Sequence, residues 1–231
     1  MMNNRTKYSF ILIIVVHIYT TNGQQYYLGV GIENAQFKDY VNSFGNNTLD
    51  LNYSKPPAIL VEGGYRANLF KERLKWNLGF TYNKYEIRSG FFNGSTNTPL
   101  TYNLTYVSIK PGIYFSVLNE PKIKLQIHTH ISHDWLINGK SSYSNIVNDL
   151  YRENTFDKTL ISFHKGISVE YSLTDSISTY ISYNNSNSFR EENKDSVAGE
   201  KYTLNTNAIT CGILFSFFNP FSRKMVCHGS F

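Results

Sequence analysis

Three histidines have side chains and spacing suited to a metal site. His128 and His130 lie two residues apart in one run of the chain, and His164 lies in a later run. Residues two apart on a strand share a face, and cross-strand neighbours have Cβ atoms about 5 Å apart. If residue 130 pairs with residue 164, His130 and His164 lie within reach of one Zn²⁺ or Ni²⁺ ion. Buried polar filling is the commoner role of such histidines, so the sequence predicts no metal or other cofactor and keeps these three as candidates.

Several charged residues fall on the same face of the strand pattern described below. They are Glu33, Glu62, Arg66, Lys110, Lys124, Asp134 and Glu170. Charges enclosed in a narrow space are tolerated only when they are paired and hydrogen-bonded. The sequence therefore predicts a set of internal ion pairs, with a gated or proton-linked path as the alternative.

The elements that carry these residues are strands, because the apolar residues recur with period two. Along residues 123–135 the alternate positions from Ile123 to Trp135 are mostly apolar, and the positions between them, such as Lys124 and Asp134, are polar. Only a strand separates two such sets. Eight segments follow this pattern: 26–32, 59–65, 76–82, 107–117, 123–135, 161–171, 177–183 and 209–217. Pro111 cannot donate to a strand ladder and predicts a bulge or a weakened pair.

The connections alternate in length. Residues 34–57, 88–102, 136–158 and 184–203 are long and polar, whereas 68–73, 119–122 and 173–176 are short. This alternation is typical of an outer-membrane barrel with brief periplasmic turns and extended external loops. The sequence predicts an all-β, eight-stranded, antiparallel, up-and-down transmembrane β-barrel with both ends on the periplasmic side. The long loops carry aromatic residues that are predicted either to anchor a binding partner or to pack on one another as a cap: Phe37, Tyr40, Phe44, Tyr53, Phe91, Phe92, Tyr143, Tyr151 and Phe156.

The polar face is predicted to point inward, because it carries many glycines and serines that suit the tight interior of an eight-stranded barrel. A secreted lipocalin-like ligand-binding barrel, with the apolar face inward, is the first alternative. A lipid A-modifying outer-membrane enzyme is the second, with His133 near the external end of its strand. Asp134 points the opposite way from His133, and a nucleophile and its base must lie within hydrogen-bond reach. The prediction is therefore a protein that is not an enzyme.

The N-terminus predicts export. A short basic region at residues 3–7 precedes an apolar run at residues 8–19, which is too short to span a bilayer. We expect a signal peptide over residues 1–23, a barrel over 24–218 and a periplasmic tail over 219–231. The net charge is +5, but no stripe of Lys and Arg predicts nucleic-acid binding. Cys211 and Cys227 have neither a metal-site spacing nor a disulfide framework.

The last predicted strand carries the most specific motif. Thr210, Gly212, Phe215 and Phe217 resemble the signal by which outer-membrane barrels are recognised for insertion, although residues 219–231 follow it. The whole pattern resembles the small eight-stranded outer-membrane barrels of the OmpA/OmpX type, and its Asn, Lys, Tyr and Ile bias resembles the PorT-like barrels of Bacteroidota. The resemblance implies a cell outer-membrane location and, as partners, outer-membrane lipid and the barrel-assembly machinery. The expected function is to present long loops for binding or to act as an accessory subunit with other outer-membrane or secretion proteins.

Overall fold

The computed structural model describes seven ranges of the chain. They are residues 24–41, 56–70, 73–92, 97–143, 146–152, 158–189 and 201–217. The predicted signal peptide (1–23) and the predicted tail (219–231), which includes Cys227, lie outside these ranges. So do the predicted loop aromatics Phe44, Tyr53 and Phe156. Within the described ranges, no helix is long and apolar enough to cross a membrane.

The described chain forms one antiparallel sheet. Its strands are β1 (Gln24–Val41), β2 (Ala58–Phe70), β3 (Leu74–Phe92), β4 (Asn97–Asn119), β5 (Ile123–Tyr143), β6 (Ile146–Asp149), β7 (Thr159–Ser172), β8 (Ile177–Phe189) and β9 (Lys201–Phe217). Strand β1 pairs with both β2 and β9, and β4 pairs with both β3 and β5, so eight strands close into a ring. The short strand β6 pairs with the external end of β5 and is not part of the ring. The predicted eight-stranded, up-and-down β-barrel is confirmed.

The strands are staggered around the ring. Following cross-strand partners once around the barrel from Ala35 leads back to β1 at Gln25, ten residues earlier. Such a stagger accompanies strands tilted by about 35–45° to the barrel axis. The same circuit pairs His130 with His164, which is the register that the sequence analysis assumed. Residues distant in the chain therefore share one row of the interior.

The two faces of the wall have opposite polarity to those of a water-soluble barrel. Apolar side chains such as Leu28 (65% exposed) cover the outside, whereas polar side chains such as His130 (3% exposed) fill the inside. This arrangement follows directly from the period-two pattern, because each strand places alternate residues on opposite faces. The lipocalin-like alternative is wrong, since it requires the apolar face inside.

The predicted loops are too long, because the strands continue well beyond the apolar segments. Strand β3 reaches Phe92, which pairs with Asn97 at the start of β4, so residues 93–96 alone connect them instead of the predicted 88–102. Strands β1, β5, β8 and β9 likewise extend into the predicted loops 34–57, 136–158 and 184–203. In these extensions the pattern inverts: Lys84 and Arg88 point outward, and Tyr85 is buried inside. In the sequence these segments look like polar loops because their outward side chains are polar, as expected of a wall that faces water.

Pro111 interrupts one ladder of β4. Pro111 pairs with Leu78 of β3. On the other side, the pairing of β4 with β5 has a gap between Ile109 and Gly112, and this gap contains Lys110 and Pro111. The predicted weakened pair is therefore present on the β5 side, where the missing N–H of proline would otherwise donate.

Candidate functional site

The base of the lumen holds a buried ion pair. Lys75 Nζ lies 3.8 Å from Glu170 Oε2 and donates a hydrogen bond of 2.7 Å to Gln25 Oε1. Lys75 was missing from the predicted set of internal charges. Its neighbour Trp76 is on the lipid-facing side, so strand alternation alone was sufficient to place Lys75 inside.

The middle of the lumen is built around Arg66, which is 1% exposed. Its guanidinium carbon lies 4.6 Å from the ring centroid of Tyr27, 3.9 Å from that of Tyr114 and 5.4 Å from that of Tyr180. It also donates hydrogen bonds to the hydroxyl of Tyr114 (2.9 Å) and to Asn77 Oδ1 (3.4 Å). In the described part of the chain it forms no ion pair. A guanidinium is weakly hydrated and stacks on aromatic faces, so tyrosines take the place of the expected carboxylate.

Arg66 and the three tyrosines around it, Tyr27, Tyr114 and Tyr180, are here called the tyrosine box, and a second ion pair lies next to it. Glu62 Oε2 lies 3.9 Å from Lys110 Nζ, and Glu62 Oε1 accepts a hydrogen bond of 2.8 Å from the hydroxyl of Tyr180. The ring of Tyr180 fits because Gly29 and Gly212 face it from β1 and β9, and a Cβ at either position would collide with it. The contacts thus run continuously from Arg66 through Tyr180 and Glu62 to Lys110.

The remaining predicted charges have other partners. Asp134 Oδ2 accepts a hydrogen bond of 2.8 Å from Ser162 Oγ, and Glu33 is buried with no cation within ion-pair distance in the described ranges. Glu170 pairs with Lys75, as described above, and Lys124 is its cross-strand neighbour. From the predicted set, the structure brings Glu62 and Lys110 into an ion pair and places Lys124 opposite Glu170, whereas Glu33, Arg66 and Asp134 form no ion pair within the described ranges.

The three candidate histidines are close together, but two of them already have partners. His128 Nε2 lies 2.7 Å from Asn184 Oδ1, and His164 Nε2 lies 2.8 Å from Ser132 Oγ. The rings of His128 and His130 are tilted by 54° to each other, with centroids 5.1 Å apart. Among the residues that the structure describes, no three His, Cys, Asp or Glu side chains form a group able to hold a metal ion.

An aromatic and aliphatic cluster, here called the cap, fills the external end of the barrel. Phe37 lies at its centre, with ring centroids 5.0 Å from Tyr102 and 4.9 Å from Tyr202. The hydroxyls of Tyr106 and Tyr202 are 2.9 Å apart. The buried members are Ala35, Phe37, Tyr85, Ile87, Tyr102, Leu104, Tyr106, Leu136, Leu150, Leu160, Tyr202 and Leu204. Of the two roles predicted for Phe37, packing in a cap is the one that the structure shows, because β1 continues through this residue and turns it inward.

The comparisons with known proteins agree with this architecture. The family model described as "Outer membrane protein beta-barrel domain" matches residues 9–217. The chain belongs to this family. It is therefore an outer-membrane β-barrel protein of the Gram-negative type. None of the curated protein sequences compared with the chain matches it.

Among solved structures, the crystal structure of Neisserial surface protein A (NspA) is 11% identical, covers 84% of this chain and 97% of its own, and has a TM-score of 0.52. Ail, the attachment invasion locus protein of Yersinia pestis, is 14% identical, with 85% of this chain and 99% of its own covered and a TM-score of 0.44. OprG from Pseudomonas aeruginosa is 6% identical, with 86% of this chain and 98% of its own covered and a TM-score of 0.48. At these identities, the likeness to NspA concerns the fold alone.

The outer-membrane barrel carries an exposed hairpin above its cap, formed by the end of β5 and by β6. Ile146 and Val147 are 59% and 62% exposed, and Tyr143 and Tyr151 are also exposed. Leu150 anchors the hairpin: its side chain is buried in the cap, and its N–H donates a hydrogen bond of 2.9 Å to the carbonyl of Gly139. In the described ranges, β6 pairs with β5 alone, so one edge of its backbone has no strand partner.

The residues of the predicted insertion signal lie at the seam where the barrel closes. Thr210 is buried inside, Gly212 lies opposite Gly29, and Phe215 faces outward opposite Tyr26. The backbone of Phe217 pairs with Gln24. The motif thus occupies the strand that must pair with β1 to complete the ring, and its recognition role stays a prediction.

Strand alternation also separates the residues considered for catalysis. His133 lies outside, with its ring centroid 4.5 Å from that of Trp135, whereas Asp134 is inside with Ser162. His133 therefore has no carboxylate from Asp134 to orient it, as the sequence analysis predicted.

Proposed function

We propose that this outer-membrane barrel is a non-enzymatic binding protein that presents its external rim to other macromolecules. One observation supports the proposal above others: the lumen is filled by the cap and the polar network, whereas the β5–β6 hairpin exposes apolar side chains above the membrane. Exposed apolar patches on the water side of a protein commonly mark contact sites. A filled lumen favours a role at the surface over transport through the barrel.

The partner class that best fits this rim is a protein. The exposed residues Tyr143, Ile146 and Val147 stand beside the unpaired edge of β6, and such an edge offers backbone groups for strand addition. We propose that the protein acts as an accessory subunit, with other outer-membrane or secretion proteins as its partners. We also propose that it is related to the PorT-like barrels of Bacteroidota. No nucleic-acid partner is proposed.

Export and insertion are proposed as follows. Residues 1–23 act as a signal peptide that is cleaved before Gln24, the residue at which β1 begins. The barrel-assembly machinery then recognises Thr210, Gly212, Phe215 and Phe217. Intact mass measurement of protein purified from outer membranes tests the cleavage, and a mass that includes residues 1–23 would contradict it.

The rim proposal is tested by mild-detergent purification from native membranes, followed by native gel electrophoresis. The double variant Ile146→Ser/Val147→Ser removes the exposed apolar pair, and Asn103→Ala, on the outward rim of β4, is the matched control. We expect a larger complex with the unchanged chain and the control, and a lone barrel with the double variant. A lone barrel in every case would contradict the proposal. Regular conductance steps in planar bilayers would contradict the filled lumen and favour transport.

A further inference from the structure

Among the described residues, one cation lies inside the apolar band of the lipid-facing wall. Lys165 of β7 is exposed and faces outward, with Phe163 and Ile167, both exposed, two residues away on either side. On the neighbouring strand β5 it pairs with Thr129, which Ile127 and Ile131 flank in the same way. Lys165 therefore lies within the band that faces lipid and not at its border.

A group of outward asparagines adjoins this lysine. Lys165 pairs with Asn185 of β8, and Asn185 pairs with Asn207 of β9. Asn207 Oδ1 accepts hydrogen bonds of 3.0 Å from both Asn185 Nδ2 and the hydroxyl of Tyr183. Asn185 Nδ2 also lies 3.4 Å from Asn205 Oδ1. The apolar band thus has a polar notch on β7, β8 and β9, defined here by Lys165, Asn185, Asn205 and Asn207.

The charge of Lys165 is not balanced within the described chain. It forms no ion pair there, and the outward residues that flank it on β5, β7 and β8 include no carboxylate. An ammonium group in lipid is costly unless it reaches polar groups or an opposite charge, and a lysine does so by extending towards the headgroups. The staggered register places the three asparagines on the external side of Lys165, so the polar groups nearest to the lysine lie in the direction of the outer leaflet.

We propose that the notch binds a phosphorylated glycolipid of the outer leaflet, with Lys165 on the phosphate. The NH₂ group of Asn207 has no partner among the described residues, because both of the contacts of that carboxamide are made by its oxygen. This group is a donor available to sugar hydroxyls. A cation beside carboxamide groups matches a phosphate attached to a sugar better than it matches a phosphate on an acyl glycerol alone.

A second copy of the chain fits the notch less well. Most oligomers are symmetric, and a twofold contact centred here would place Lys165 against its own copy. Like charges facing each other are destabilising, especially in a medium of low dielectric constant. The anionic lipid is therefore the occupant that the charge favours.

The test uses the full chain in detergent micelles, to which lipid A or phosphatidylglycerol is added, with bound lipid counted by native mass spectrometry. The variants are Lys165→Gln, Lys165→Arg and, as the matched control, Lys84→Gln on the outward face of β3. We expect lipid A to bind in preference to phosphatidylglycerol. Lys165→Gln is expected to weaken lipid A binding about tenfold, as for loss of one hydrogen bond to a charged group, and the other two variants to retain it.

Heat-modifiable migration in gels verifies that each variant is folded. Equal lipid A binding by Lys165→Gln and the unchanged chain would overturn the proposal. Equal binding of phosphatidylglycerol and lipid A would overturn the sugar contact, and a change from dimer to monomer in Lys165→Gln would identify a second copy as the occupant instead.

Discussion

Replacing Arg66 with methionine tests whether the tyrosine box stabilises the barrel. The change keeps a side chain of similar length but removes the charge, two hydrogen bonds and the contacts with three tyrosine rings. A buried polar group left without its partner costs about 1–3 kcal/mol, and a desolvated cation–π contact contributes about 2 kcal/mol. The smaller desolvation penalty of methionine offsets part of this loss. We expect Arg66→Met to lower the free energy of unfolding by about 3 kcal/mol.

The assay is guanidinium unfolding of the barrel refolded in lipid vesicles, followed by tryptophan fluorescence. Arg66→Lys keeps the charge but lacks the planar fork, so its loss of stability should be about half as large. The control is Arg88→Met, because Arg88 is exposed on the external rim and, among the described residues, has Glu86 as its one ion-pair partner, at 2.7 Å. A surface pair of this kind contributes about 0–1 kcal/mol. If Arg66→Met were as stable as Arg88→Met, the reasoning about the tyrosine box would be refuted.

Three further predictions concern other parts of the barrel. Lys75→Met leaves the carboxylate of Glu170 buried without its cation and should destabilise the barrel by about 3–5 kcal/mol in the same unfolding assay. Adding Glu170→Gln should restore most of the lost stability. No recovery in the double variant would show that the broken ion pair is not the cause of the loss. Gly112→Ala places a Cβ against the ring of His130 and the backbone carbonyl of Thr129, and it should lower the yield of folded, heat-modifiable barrel. Adding His130→Ala removes the first contact and leaves the second, so recovery should be partial; unchanged folding of Gly112→Ala would contradict the close contact. Leu28→Lys puts a charge on the lipid face and should destabilise by about 2–4 kcal/mol in vesicles, and an effect below about 0.5 kcal/mol would mean that this face does not contact lipid.

Much of the wall could be predicted from the sequence, because the side-chain period of a strand is fixed by backbone geometry. In β5 the alternation from Ile123 to Trp135 identifies both faces correctly, and the same parity places His133 outside and Asp134 inside. The pairing of His130 with His164 could only be assumed, because strand parity limits the register of two neighbouring strands but does not fix it across a long connection.

The upper part of the barrel could not be predicted in the same way. In β3 the outward residues change from apolar at Tyr82 to charged at Lys84, where the wall leaves the lipid, and the inward residues change from polar to apolar at Tyr85. The alternation continues but with inverted phase, so a search for apolar residues on the outer face ends too early. A search that also accepts polar residues on the outer face and apolar residues on the inner face would have predicted the full length of β3.

The contacts of Arg66 were also beyond the sequence. Its tyrosine partners come from β1, β4 and β8, and they meet only because the staggered ring brings these strands to one level of the lumen. Pairing rules based on opposite charge gave a carboxylate as the expected partner. The non-local geometry of the closed barrel decides such contacts, and no local pattern encodes it.

The most direct test of the account is spin-label scanning of β5 in lipid vesicles. Single cysteines are placed at each position from Ile127 to Trp135 in a chain whose own Cys211 and Cys227 have been replaced, and accessibility to oxygen and to a water-soluble nickel complex is measured. The account predicts high oxygen accessibility at odd-numbered positions and low accessibility to both reagents at even-numbered ones. Nickel accessibility at the even positions would reveal an open aqueous lumen, and nickel accessibility at the odd positions would place that face in water, so either result would contradict the account.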